Sequence, residues 1–365
     1  MAGDFEAMFE EFDLPAGSQR ILGEPHAPGT VCPLALRLPK QGTQIDKGDR
    51  GNDNELDIAI AAVEHLQAQD VLTKKLSSHG TLLFRGLPIH TAADFGMFAS
   101  AFGFAPHEVI GNVIVRPPYA PNVTTANEAP RNPQRVGARP ERAGLEMPEF
   151  VRELGDKGIL SRLVYKTDKQ YPGGASLRDA FGKDVLDCDD KTTRRAKMEA
   201  QMRRYGRGPH TTWEWIDVGP EEEELIITHH LPGIRTQPGT NLPSLFTGLA
   251  AYWKTREFQR SREETNSNGL AKERGGTMQQ LYGDGSPIAD RHLARLAAIT
   301  DELRVLHQWE RGDVLVYDNL VAQHGRQGWE GEQGDRLILA SMFDGKELPG
   351  AYGDADWAQI VHPTM

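Results

Sequence analysis

Cysteine is nearly absent: Cys32 and Cys188 are the two in 365 residues, far apart and in no C-x-x-C spacing. That excludes a disulfide framework and a zinc-thiolate centre, and it fits a reducing, cytoplasmic setting. Long apolar runs are missing too, since no stretch approaches the ~20 consecutive apolar residues that a membrane span needs. Positive charge falls short, with 41 Lys and Arg against 52 Asp and Glu, a net charge of −11. No basic cluster offsets it. Such a chain repels a nucleic-acid backbone or an anionic membrane, which leaves a small molecule as the expected partner and the oligomeric state open. The opening Met1-Ala2-Gly3-Asp4-Phe5-Glu6 is acidic and has no apolar h-region, so no secretory signal is expected. The 23 prolines and 38 glycines follow no period, which excludes collagen-like and long coiled-coil classes.

What is present divides into a loop-rich segment, residues 1–54, and a domain spanning 55–365. The first segment is rich in Gly, Pro, Asp and Lys, and its acidic residues lack the D-x-[DN]-x-[DN]-G order of a calcium loop. From Glu55, apolar Leu56, Ile58, Ile60, Ala61, Val63 and Leu66 recur at mostly helical spacing, and residues 81–86 read as a strand. A second helix is expected over 94–103, short β pieces at 113–115 and 123–125, and a helical middle over 146–204. The charged stretch 191–202 reads as a solvated helix face. After Gly208-Pro209 the texture becomes short β segments at 212–215, 225–228, 244–246, 313–317 and 336–340, interrupted by a helix over 288–306. Strands at irregular intervals, with no βαβ alternation and no G-x-G-x-x-G, predict a mainly β fold with flanking helices, a barrel or jelly roll.

Toward the C-terminus, Gly312-Asp313-Val314-Leu315-Val316-Tyr317-Asp318-Asn319 leads to His324-Gly325-Arg326 and then to Arg336. A strand ending in Asp-Asn, an imidazole after the turn and an arginine on the returning strand place His324 and Arg336 in the mouth of one sheet. Neutral imidazole ligates ferrous iron, and a guanidinium fork grips a carboxylate. On the residues alone, His324 also reads as a hydrogen-bonded turn histidine and Arg336 as an ion-paired strand arginine.

The run G-D-V-L-V-Y-D-N-x-x-x-x-H-G-R, followed by R-L-I-L-A, resembles the distal half of the TauD/TfdA-like iron(II), 2-oxoglutarate-dependent oxygenases, in the clavaminate-synthase-like branch with many fungal members. Residues 79–87 with Asp94-Phe95, then 123–130, 213–215, 231–234 and 282–285, stand in the order of that family, so the resemblance spans about 78–344. It implies a double-stranded β-helix, or jelly roll. It implies oxidation of an organic substrate by iron(II) and dioxygen, with 2-oxoglutarate decarboxylated to succinate. It also implies that His324 is the distal iron ligand and that Arg336 holds the far carboxylate of 2-oxoglutarate. The substrate is not implied, because in this fold loop shape sets it.

One part of the family pattern is missing. The other two iron ligands belong to an H-x-D or H-x-E pair, and none of the 12 histidines has Asp or Glu two residues on. The chain passes from Asn127-Glu128-Ala129-Pro130 through the Arg- and Pro-rich 131–144 straight toward the next helix, an apparent deletion that leaves the jelly roll incomplete. Iron would then be held by one histidine, where a facial triad supplies three ligands. Two accounts follow: an oxygenase whose ligand segment was skipped in a gene model or variant, or a non-catalytic scaffold that keeps a pocket for a small carboxylate. A third has His107, His210, His229 or His230 substituting in space. Adjacent residues on a strand face opposite ways, so at most one of His229 and His230 could serve.

Overall fold

The computed structural model describes residues 8–39, 51–111, 116–125, 146–169, 175–204, 210–219, 222–245, 247–265, 278–325 and 337–345. The first sheet has the order β1 (Glu10–Phe12), β4 (Leu34–Arg37), β5 (Thr81–Arg85) and β15 (Val314–Tyr317). The second has the order β10 (Thr211–Asp217), β11 (Glu223–Leu231), β9 (Ile159–Lys166) and β14 (Met278–Tyr282). A third joins β16 (Leu339–Ala340), β8 (Val123–Thr125) and β7 (Pro118–Ala120). Three two-residue pairs complete the strands: β2 (Arg20–Ile21) with β3 (Val31–Cys32), β6 (Ala105–Pro106) with β17 (Phe343–Asp344), and β12 (Arg235–Thr236) with β13 (Pro243–Ser244). Among the described residues β4 and β5 form the one parallel pairing, so no doubly wound parallel sheet is present there.

The described residues include eight helices flanking the sheets: α1 (Gly51–Ala68), α2 (Val71–His79), α3 (Ala92–Ser100), α4 (Pro148–Lys157), α5 (Leu177–Phe181), α6 (Lys191–Arg204), α7 (Leu249–Thr265) and α8 (Asp290–Leu303). They hold more of the described residues than the strands do, so the flanking helices weigh more than a mainly β expectation carries. No helix among the described residues is long and apolar enough to cross a membrane. The expected β piece at 113–115, the stretch 131–144 and Arg336 lie outside the described residues.

Alternation along β5 sends Leu82 and Phe84 to one face, where they join Phe9, Leu36 and Val314 in a core with Ala59, Val63 and Leu66 of α1 and Phe98 of α3. Helix α3 is held at its start by a reciprocal cap between Thr91 and Asp94. The opposite face carries Ala35, Leu83 and Leu315 and is covered by Phe12 and Leu14. The division at residue 54 therefore does not follow the packing. Phe9, Leu34 and Leu36, all inside the segment read as loop, belong to this core, and β4 runs beside β5.

The helical expectation for 146–204 is corrected at its centre. Residues 159–166 form β9, bonded on one side to β11 and on the other to β14. Buried Ile159, Ser161 and Tyr165 fall at odd positions along it, the period of a strand. Tyr165 packs with Leu225 and Ile227 of β11 against Met198 and Met202 of α6, so that helix is solvated on one side only. Its charged side chains do reach outward: Arg195 bonds Glu223 and Asp217, and Lys197 bonds Asp189 at 2.6 Å.

Gly312 fixes the entry to β15. Its φ is +80°, and an added Cβ would sit 2.2 Å from the Leu87 carbonyl oxygen. We expect Gly312→Ala to lower stability by at least about 1–2 kcal/mol from the left-handed backbone alone, with the clash adding to it. A urea midpoint unchanged from the parent would remove that reading of the turn.

Candidate functional site

The site grows from the end of β15. Strand β15 pairs with β5 so that Tyr317 lies opposite Thr81, on the sheet face away from α1 and α3. The Asp318 amide donates to the Gly80 carbonyl at 3.0 Å, which ties the strand end to the start of β5. The turn then closes on itself. Asp318 Oδ1 accepts from the Leu320 amide at 2.9 Å, and the Asp318 carbonyl accepts from Val321 at 3.1 Å and Ala322 at 2.9 Å. Asp, with a short side chain that bonds the backbone two residues on, is suited to this turn. Ser244 donates to the Leu320 carbonyl, and Gln323 donates to the Thr247 carbonyl at 3.4 Å.

The turn brings His324 back over Tyr317. Its Nε2 lies 3.1 Å from the Tyr317 hydroxyl, and the ring centroids are 4.3 Å apart at 35°. His324 is exposed at its edge but crowded by protein around it. That desolvation, followed by the positive charge of Arg116, holds its pKa below the usual histidine range. Burial pushes the Tyr317 phenol up, while Arg116 draws it the other way. At neutral pH the site thus presents a neutral imidazole and an un-ionised phenol beside a fixed cation.

At the other end of β15, the Asp313 carboxylate is fully buried at 0% exposure. It accepts from Arg85 Nε and Nη2, both at 3.1 Å, and lies 2.9 Å from His307 Nε2. This cluster anchors the strand that carries Tyr317.

Of the expected site residues, the structure places His324 just past the end of β15, and Arg336 lies outside the described residues. Among the described residues, no group of three or more His, Cys, Asp or Glu is placed to hold the metal ion that the resemblance implies. Two of the expected substitutes are engaged elsewhere: His107 Nδ1 lies 2.6 Å from Asp344, and His229 Nδ1 lies 2.9 Å from Thr211 Oγ1. With no H-x-D or H-x-E pair in the sequence, the described residues do not fit a facial triad. Tyr317 and Arg116 are site residues that sequence reasoning does not reach. Tyr317 carries a signal in its alternation with Leu315, whereas Arg116, isolated before two prolines, carries none.

Comparison with known proteins bears on the same stretch. The family model described as taurine catabolism dioxygenase TauD, TfdA family, matches residues 191–342, which include β15 and His324. A clavaminate synthase-like protein of Arabidopsis thaliana is 24% identical over 307 residues, covering 74% of this chain and 83% of its own length. A dapdiamide synthesis protein of Enterobacter agglomerans is 36% identical over 59 residues, 16% of this chain and 18% of its own. A crystal structure assigned to an alpha-ketoglutarate dependent 2,4-D dioxygenase from Burkholderia xenovorans aligns with a TM-score of 0.34 at 12% identity, covering 84% of this chain and 91% of that one. Residues 191–342 thus resemble the TauD, TfdA family, and the likeness to the Arabidopsis protein extends over 74% of the chain.

Proposed function

We propose that this chain has the build of an iron(II) and 2-oxoglutarate-dependent oxidoreductase of the oxygenase type, for a small organic substrate, on a shortened jelly roll that lacks the ligand pair turnover needs. The observation that carries the reading is His324, a neutral imidazole held past the end of β15 inside the stretch that the family model matches. Arg336, twelve residues after His324 in the sequence, is the proposed grip on the far carboxylate of 2-oxoglutarate. Cysteine usage favours the cytoplasm, and the charge of −11 favours a small-molecule partner over nucleic acid or membrane.

The described residues do not complete an iron site, so the chain as it stands is expected to lack turnover. The test is succinate release from 2-oxoglutarate with added iron(II), by this polypeptide and by one with an H-x-E segment from a relative grafted after Pro130. Release by the grafted chain, lost again on His324→Ala, is the expected result, with none from the parent. Equal iron-dependent release by both would show that the missing pair is immaterial. Absence of release from either would leave a carboxylate-binding scaffold in place of an oxygenase.

A further inference from the structure

Helix α6 is charged along most of its length, yet it buries one stripe: Met198, Gln201 and Met202, at helical spacing. Two of the three are apolar and pack on the second sheet. Gln201 is the anomaly, a polar side chain 2% exposed in a core position. It lines a cavity of about 310 Å³ bordered by α5, α6 and the residues after β6, which shares no residue with the turn that carries His324. Val109, Ile110 and Phe181 give the cavity its apolar wall, and Arg178 and Lys183 stand at its mouth. Bonds tie that wall in place. The Gly111 amide donates to the Ala180 carbonyl at 2.9 Å, and the Tyr165 hydroxyl of β9 donates to the Gly111 carbonyl at 2.7 Å. Phe181 meets the Tyr165 ring edge to face, with centroids 5.0 Å apart.

One atom of Gln201 is unmatched. The amide nitrogen donates to the Asp184 carboxylate, which fixes which way round the group sits. The other end, Oε1, is buried and has no hydrogen-bond partner among the described residues. A buried amide oxygen is costly until a donor reaches it. The charges at the mouth are matched already. Lys183 lies 3.2 Å from Glu108, and Arg178 pairs with Asp187 at 2.7 Å and donates to the Val185 carbonyl at 3.2 Å. Asp179 accepts from the Ser176 amide at 2.9 Å and pairs with Lys169 at 3.4 Å. A charged ligand would have to displace one of these partners, whereas a neutral donor displaces none.

We infer that this cavity binds a small neutral molecule, an apolar ring carrying an N–H, with the ring against Val109, Ile110 and Phe181 and the N–H donating to Gln201 Oε1. The volume stands at the lower end of small-molecule pockets, and an apolar wall with one placed polar group is their usual chemistry. The wall supplies affinity, and the unmatched carbonyl supplies orientation. The inference is independent of the oxygenase reading, since neither iron nor His324 nor Arg336 enters it.

The experiment is calorimetry of the full chain with three probes: indole, benzofuran, which has the same shape without the N–H, and benzoate, which brings a charge. The parent is expected to bind indole about 2- to 10-fold more tightly than benzofuran, and benzoate more weakly than either. Gln201→Met keeps the length of the side chain and removes the acceptor. It should bring indole down to the level of benzofuran and leave benzofuran as in the parent, a pattern that a general loss of structure does not give. Val109→Trp, at a position 43% exposed, fills the cavity from its mouth and should abolish binding of both rings while the core stays intact. Parent binding of neither ring, equal affinity for the two, a preference for benzoate, or a Val109→Trp chain that binds as the parent does would overturn the proposal.

Discussion

Phe84→Ala is expected to destabilise the chain by about 3–5 kcal/mol in urea unfolding. Phe84 is completely buried, and its ring meets three others edge to face: Phe9 at 5.2 Å, Phe98 at 5.3 Å and Phe102 at 6.0 Å between centroids. Removing it opens a cavity and forfeits aromatic contacts worth about 0.5–1.5 kcal/mol per pair beyond buried area. The site is poorly able to collapse, because those rings come from three places: the N-terminal segment, α3 and the residues after it. Phe84→Leu keeps apolar bulk and should cost about 1–2 kcal/mol. A loss under about 1 kcal/mol for Phe84→Ala would mean that this core is more deformable than its packing indicates.

The strand that carries Phe84 is legible in the sequence. Residues 81–86 read as a strand because Leu82-Leu83-Phe84 stands as an apolar run closed by Gly86, and β5 spans Thr81–Arg85, entered directly from α2 through Gly80. Its partner β4 is not legible, since Leu34-Ala35-Leu36 sits among prolines and has no periodic neighbours; its strand state comes from pairing with β5. Helix α1 is legible from its apolar spacing, and α6 from its length. The burial of Met198 and Met202 is hidden by the charges around them. For the site, the Asp318-Asn319 turn and the position of His324 follow from local chemistry. Arg116 does not, because what sets it apart is a shortage of partners on a sheet face where its bond to Met342 spans 226 residues of sequence.

The strand that delivers His324 depends on its other end. Burial drives the Asp313 carboxyl upward, yet bonds from Arg85, the Glu310 amide and His307 together hold it below the usual aspartate range. Arg85 is 16% exposed and keeps a second contact to Glu310 at 2.8 Å. Asp313→Ala would therefore leave a mostly buried guanidinium only partly compensated. The expected loss is about 3 kcal/mol at pH 7, the low end for breaking a buried pair. Because the folded-state pKa is depressed, this contribution is present in full above the unfolded aspartate's range and fades as pH falls through the lower folded value. Acidification should thus destabilise the parent more than Asp313→Ala and bring the two curves together. The double variant Arg85→Met with Asp313→Leu should recover much of the loss, since apolar residues can replace a buried ion pair at little net cost. Urea titrations of the parent, the single variant and the double variant, from neutral to acid pH, give the measurement. A gap between parent and Asp313→Ala that stays constant across that range would show that the carboxylate's charge does not hold this end of β15.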